Sequence, residues 1–208
     1  VLDLLHKITF REGIGDLLAE GPKPAGTQLE ISYNMPEIKG MGLPAYDPRC
    51  SPGTALVYMT ADRGACHLRS WPLGRELSGT WEPDDIDGRI KFVKNQQDEK
   101  AAEESLIVCQ FPYGIGLLDE ILAEMLRAAT GEDWTLETMK SAGDRIWNLS
   151  RMFNVREGMS RKDDYLPEKF SKECIEEGNM KGQKMSRERQ EYMLDRYYEY
   201  RGWTADGI

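Results

Sequence analysis

Soft metal ligands are scarce in this chain: 208 residues hold four cysteines and two histidines. Cys50, Cys66, Cys109 and Cys174 lie 16, 43 and 65 residues apart, with no Cys-x-x-Cys pair. That spacing excludes a zinc ribbon and the thiolate set of a complete iron–sulfur cluster within this chain. Without a signal-like start, the cysteines suit a reduced, cytoplasmic setting. Positive charge is also short: 27 Lys and Arg face 36 Asp and Glu, a formal charge of -9. Broad nucleic-acid binding needs a basic stripe and is not expected. Gly, Pro or a charge interrupts every apolar run well before the roughly 20 residues of a membrane-spanning helix, so no membrane partner is expected. Methionine is missing from position 1. The opening "VLDLLHKITF" reads as a helix already under way, and the chain is expected to be a piece of a longer protein.

What is present is ordinary globular composition, 40% hydrophobic and 30% charged, enough for one medium domain or two small ones. Apolar residues at 1, 4, 5 and 8 have the spacing of a helix with one buried face. "REGIG" breaks it, and "DLLAEG" is a short helix closed by Gly21. From Pro22 to Arg49, five prolines predict loop and extended pieces. Ser51 is a cap for a helix over 54–60, with strand as the fallback because of Val57 and Tyr58. The polar stretch 71–100 reads as loop followed by a charged helix from about Asp87.

Leu117, Leu118, Ile121, Leu122, Met125 and Leu126 share a helix face, and "TGED" ends that helix. Thr135 caps a long helix with a stripe of Leu136, Met139, Ile146, Leu149 and Phe153; the two helices are expected to pack together. "SRKDDYLP" reads as a solvated turn, and Ser186 opens a last helix burying Met193, Leu194, Tyr197 and Tyr198. The fold class is mainly α and multihelical, with a helical, loop-rich unit over 1–110 and a helical unit over 111–208.

"TADRGACHLR", residues 60–69, holds one of the two histidines beside a cysteine and between two arginines. A neutral His67 can relay protons near pH 7. Arg63 and Arg69 would lower its pKa by like-charge repulsion and offer bidentate donors to an anion. The plainer alternative is a histidine that caps a helix or satisfies a carbonyl, with both arginines on surface carboxylates. Cys66 cannot readily share a metal with its neighbour His67, since adjacent side chains diverge, and it reads as a packing residue. Cys50 and Cys174 read the same way, Cys174 on an exposed helix. Cys109 ends the apolar run in "EESLIVCQFPYG", where a thiolate can reach a cluster or cofactor and core packing is the alternative.

Taken in order, "REGIGDLLAEG", "EIKGMGLPAYDPR", "TADRGACHLR", the cysteine of "SLIVCQF" and "GDRIWNLSRMFNVREGMSRKDDYLP" resemble the C-terminal part of the tungsten-dependent aldehyde ferredoxin oxidoreductase family. The resemblance covers about Ile8 to Pro167, with the terminal "YYEYRGW" also similar. It implies two helical domains that, with an N-terminal domain absent from this sequence, enclose tungsten (or molybdenum) on a bis-pterin beside a [4Fe-4S] cluster. It also implies oxidation of aldehydes to carboxylic acids with ferredoxin as acceptor, related members acting on other substrates such as an aromatic thioester.

Carried over by position, His67 matches the family's proton-relay histidine near the metal, and Arg63 and Arg69 a basic pair on the pterin side. Cys109 matches the fourth cluster ligand, with Gln110 next to it in the cofactor-binding group. The family pattern Asp-x-x-Gly-Leu-Cys here reads Glu104-Ser-Leu-Ile-Val-Cys109, so Glu104 stands for the pterin-contacting aspartate and Ile107 for the glycine. The resemblance therefore implies a metal-free, inactive fragment whose longer parent is the enzyme. The departures at 104 and 107 keep a second reading open, a helical interaction scaffold that has lost catalysis.

Overall fold

The computed structural model describes residues 1–82, 84–109 and 120–208. Ten α-helices dominate these residues: α1 (Leu2–Phe10), α2 (Ile14–Ala19), α3 (Pro22–Gln28), α4 (Pro52–Thr60), α5 (Leu73–Leu77), α6 (Ile86–Ser105), α7 (Glu120–Thr130), α8 (Leu136–Arg156), α9 (Glu168–Lys172) and α10 (Arg187–Arg201). A two-residue hairpin, β1 (Glu37–Ile38) against β2 (Met41–Gly42), is the sheet found among them. The mainly α class holds.

Local sequence explains most boundaries. Ser51 Oγ accepts from Thr54 N at 3.4 Å, and Pro52 sits at the first position of α4, where its missing N–H costs nothing. Thr135 closes a capping box with Thr138 at the start of α8, and Gly202 ends α10 with φ 70°. The Pro22–Arg49 expectation needs correction at its start. Pro22 and Pro24 both lie in the first turn of α3, where the N–H groups have no intrahelical partner, so the prolines start a helix instead of preventing one.

The larger core joins α4 to α10 through Leu56, Val57, Tyr58, Met59, Ile90, Val93, Met193, Leu194, Tyr197 and Tyr198. Helix α6 runs through this packing and is the second correction. Its charged sequence predicts exposure, yet Gln96, Gln97, Asp98, Lys100 and Glu103 are all buried. Each needs polar company inside, and α10 supplies part of it. Tyr197 Oη donates to Gln97 Oε1 at 2.6 Å, Arg201 Nη2 donates to the same oxygen at 3.0 Å, and Arg201 Nη1 pairs with Asp98.

Helix α8 lies directly on α6. A Cβ on Gly143 would sit 1.9 Å from the Asp98 carbonyl oxygen, so the two backbones touch there. Its buried face consequently runs through Met139, Gly143, Trp147 and Arg151, whereas Leu149 and Phe153 of the expected stripe are exposed. On α7, Leu122 and Ala123 pack with Met139, as the expected pairing of these helices requires, but Ile121 and Met125 face outward. Leu117 and Leu118 lie outside the described residues. Helix α1 forms where expected but buries no residue of its own.

Two smaller expectations need adjustment. Cys174 is exposed as expected but lies on non-helical backbone after α9, and Cys50 is half-buried. The "KDD" turn is not simply solvated: Asp164 is 0% exposed. Its Oδ1 lies 2.7 Å from Lys39 Nζ, and its Oδ2 lies 2.7 Å from Arg151 Nη2 and 2.5 Å from Tyr198 Oη.

Candidate functional site

The turn after α4 is held before it begins. Lys39, at φ 54° in the hairpin turn, buries its ammonium to donate to the carbonyls of Met59 at 2.6 Å and Ala61 at 3.0 Å. These are helix-end carbonyls without an intrahelical donor. Gly64 has φ 105°, and a Cβ there would come within 2.6 Å of the Ile38 carbonyl oxygen. The hairpin therefore crosses a backbone that only glycine permits. Residues His67–Arg69 then form a short 3-10 turn.

Within it, Arg63 Nη2 donates to the buried Cys66 Sγ at 3.0 Å, which gives Cys66 a polar contact besides its expected packing role. Half-buried His67 meets Tyr46 and Trp71, ring centroids 5.5 Å away in each case. Burial lowers its pKa first, and the charges of Arg63 and Lys100 lower it further. The imidazole is thus neutral at pH 7, the form that accepts a proton.

Arg69 holds Asp62 in a fork, Nε to Oδ1 at 2.8 Å and Nη2 to Oδ2 at 3.1 Å, and its Nη1 pairs with Glu104. Two carboxylates balance this guanidinium. The Arg69–Glu104 pair also ties the turn to the end of α6. Asn154 Nδ2 of α8 donates to the Asp62 carbonyl at 2.6 Å from the other side. Between the turn and α8 lies a cleft of about 420 Å³ lined by Asp62, Arg63, Leu149, Ser150, Phe153 and Asn154.

Beyond α6, Leu106 and Val108 pack inward against the smaller core, while Ile107 is 94% exposed and Cys109 exposed. Gln110 falls outside the described residues. Arg63, His67, Arg69 and Glu104 are therefore gathered around one turn, with Cys109 five residues past Glu104. Lys100, a buried residue of α6 whose charge also lowers the His67 pKa, escaped the sequence reading because one lysine in a charged helix carries no signal of burial.

Ile107 has φ 59°, the left-handed region, which a β-branched side chain enters at a cost of about 1–2 kcal/mol. With its side chain in solvent, Ile107→Gly gives up little packing. We expect a gain of about 1 kcal/mol in urea unfolding after the extra unfolded-state entropy of glycine is deducted.

The donor set can be matched to the metal and cofactor that the family resemblance implies. One exposed guanidinium beside a neutral imidazole suits the edge of an anionic pterin, and one exposed thiol suits a single cluster ligand. No group of three His, Cys, Asp or Glu able to hold a metal occurs among the described residues. The described residues also contain no helix long and apolar enough to cross a membrane.

Known proteins resemble the chain over nearly its whole length. The chain is 40% identical over 213 residues to the tungsten-containing aldehyde ferredoxin oxidoreductase of Pyrococcus furiosus, covering 98% of this chain and 34% of that protein. It is 30% identical to the aliphatic sulfonate oxidoreductase, WOR-like subunit, of the same organism, covering 99% of this chain and 32% of that one. The chain thus spans about a third of the length of the curated relatives it matches. Among solved structures, the active site complex BamBC of benzoyl coenzyme A reductase, in complex with 1,5-dienoyl-CoA, superposes with a TM-score of 0.70 at 22% identity, over 99% of this chain and 36% of that one; at this identity the likeness is one of fold. The family described as "Aldehyde ferredoxin oxidoreductase, domains 2 & 3" matches residues 1–208, and the chain belongs to that family.

Proposed function

We propose that this chain is the C-terminal third of a tungstopterin oxidoreductase that oxidises aldehydes to carboxylic acids and delivers the electrons to ferredoxin. The observation that carries the reading is the end-to-end family match together with a neutral histidine and the exposed Arg63 on one turn. In this reading residues 1–110 bear the cofactor-facing motifs, 111–208 supply the helices behind them, and a cytoplasmic location accompanies the free thiols.

When bound, a tungsten or molybdenum bis-pterin would take up the two electrons of aldehyde oxidation, and a [4Fe-4S] cluster would relay them singly to ferredoxin. The chain's own contribution is positional and protonic. His67 accepts a proton at an imidazole nitrogen, Arg63 balances anionic charge on the cofactor side, and Cys109 offers one thiolate ligand. Arg69 and Glu104 pair with each other and brace the turn, and both remain cofactor contacts in this reading. With one of four cluster thiols, the chain alone is expected to be inactive and without metal.

The substrate is the less constrained part, because relatives named for sulfonate and for benzoyl coenzyme A chemistry share the same helical frame. A scaffold without catalysis would draw on Glu104 being held by Arg69 and on Ile107 in place of glycine. Metal analysis of the longer protein separates the readings. Tungsten or molybdenum with about four irons per chain, plus dye-coupled oxidation of aldehydes, is the expected result. Absence of both metals overturns it in favour of the scaffold, and metals without aldehyde turnover redirect it to another substrate.

A further inference from the structure

Helix α6 grips the His67 turn at both ends. Near its middle, Gln96 Oε1 accepts from Ser70 Oγ at 2.7 Å and from the Trp71 backbone N–H. Two turns later Glu104 pairs with Arg69. Residues 96, 100 and 104 are spaced i, i+4, i+8 and share one helix face. Lys100 is therefore midway along a face whose two ends are both fastened to the same turn. It is 0% exposed, so no route to solvent is left for its ammonium.

We propose that Lys100 is a positioning residue of this site, seating the Cys66–His67 turn on α6 from beneath and supplying part of the positive charge that His67 faces. Burial of a lysine with a full charge is costly unless carboxylates stand close by. Burial lowers the Lys100 pKa; Glu103 and Glu104 from α6 and Cys66 from the turn oppose that shift and favour its ammonium, while Arg69 from the turn adds to it. Those bearing on His67 are Arg63 from the turn and Lys100 from α6, with the rings of Tyr46 and Trp71 enclosing it. Arg69 has its charge met by Asp62 and Glu104. Lys100 thus becomes the cation that the second helix contributes to the histidine.

The test reads His67 directly in the 208-residue chain, by NMR of labelled imidazoles across pH, with His6 on α1 as the internal control. Lys100→Met keeps the stem of the side chain and removes the charge. The His67 titration midpoint should move up while that of His6 stays in place and the circular dichroism spectrum is retained. Lys100→Arg should leave the midpoint at its wild-type position. A folded Lys100→Met with an unchanged His67 midpoint overturns the proposal, because a packing role alone predicts that outcome. Should the methionine variant fail to fold, the arginine variant decides: a wild-type midpoint supports the charge and its placement, and a raised one overturns them. No metal enters the measurement, so its failure and the failure of the tungstopterin reading are distinct events.

Discussion

Asp164→Asn is expected to destabilise the chain by about 3–5 kcal/mol, the cost of removing one partner from a buried charge group. The carboxylate touches two buried cations, Lys39 and Arg151, whose side chains are 5% and 7% exposed. Asparagine preserves the shape and can still accept a hydrogen bond, so the loss isolates the charge. Burial already lowers the Lys39 pKa, with Asp164 opposing that shift, and removal of the acid favours the neutral amine. Arg151 does not have that escape, because a guanidinium stays protonated.

The effect should extend beyond stability. Lys39 holds the Met59 and Ala61 carbonyls, Arg151 Nε donates to the Gly207 carbonyl at 2.8 Å, and Tyr198 Oη donates to Asp164 itself. Weakening this hub loosens the end of α4, from which the His67 turn starts. Urea denaturation followed by circular dichroism measures the first effect, and faster amide exchange over residues 62–69 measures the second. A loss below about 1 kcal/mol would mean that the three groups are not mutually dependent.

His67→Ala, made in the longer oxidoreductase, is expected to lower turnover about 10²–10⁴-fold, the usual contribution of a positioned acid or base. Metal content should not change, since the proposed role is to accept a proton and not to hold the cofactor. Near-normal turnover with full metal loading would refute that role. The acidic limb of kcat/KM provides a second reading. Because burial, Arg63 and Lys100 push the His67 pKa down, the wild-type enzyme should keep an active neutral imidazole to below the ordinary value of about 6.5. The same shift carries a sign for folding. A histidine that binds its proton more weakly when folded subtracts stability as pH falls below about 6.5, and that penalty grows down to its folded pKa. His67→Ala should therefore slightly flatten the acid side of the stability profile.

Caps, breakers and apolar spacing were legible along most of the chain. Ser51 before α4, Thr135 before α8, Ser186 before α10 and Gly202 after it act within one or two helical turns, so their effects do not wait for tertiary contacts. The ordered motifs from "REGIGDLLAEG" to "SRKDDYLP" likewise pointed to the family without any coordinates. The prolines of α3 misled because the rule against them applies inside a helix, and Pro22 and Pro24 stand at its entrance.

Burial of charge was a different matter. Helix α6 reads as a surface helix because charge normally seeks water; it is interior here because α4, α8 and α10 bring Arg201, Tyr197 and the Gly143 backbone to it from distant positions. Asp164 passed for a solvated turn for the same reason: its cations come from a hairpin at residue 39 and a helix at residue 151. In the candidate site, sequence determined that a histidine, two arginines and a thiol were available. Tertiary structure decided their tasks. It left Arg63 beside a neutral His67, committed Arg69 to Asp62 and Glu104, and buried Lys100 of α6, since the energy of a charge depends on neighbours that the chain brings together only when it folds.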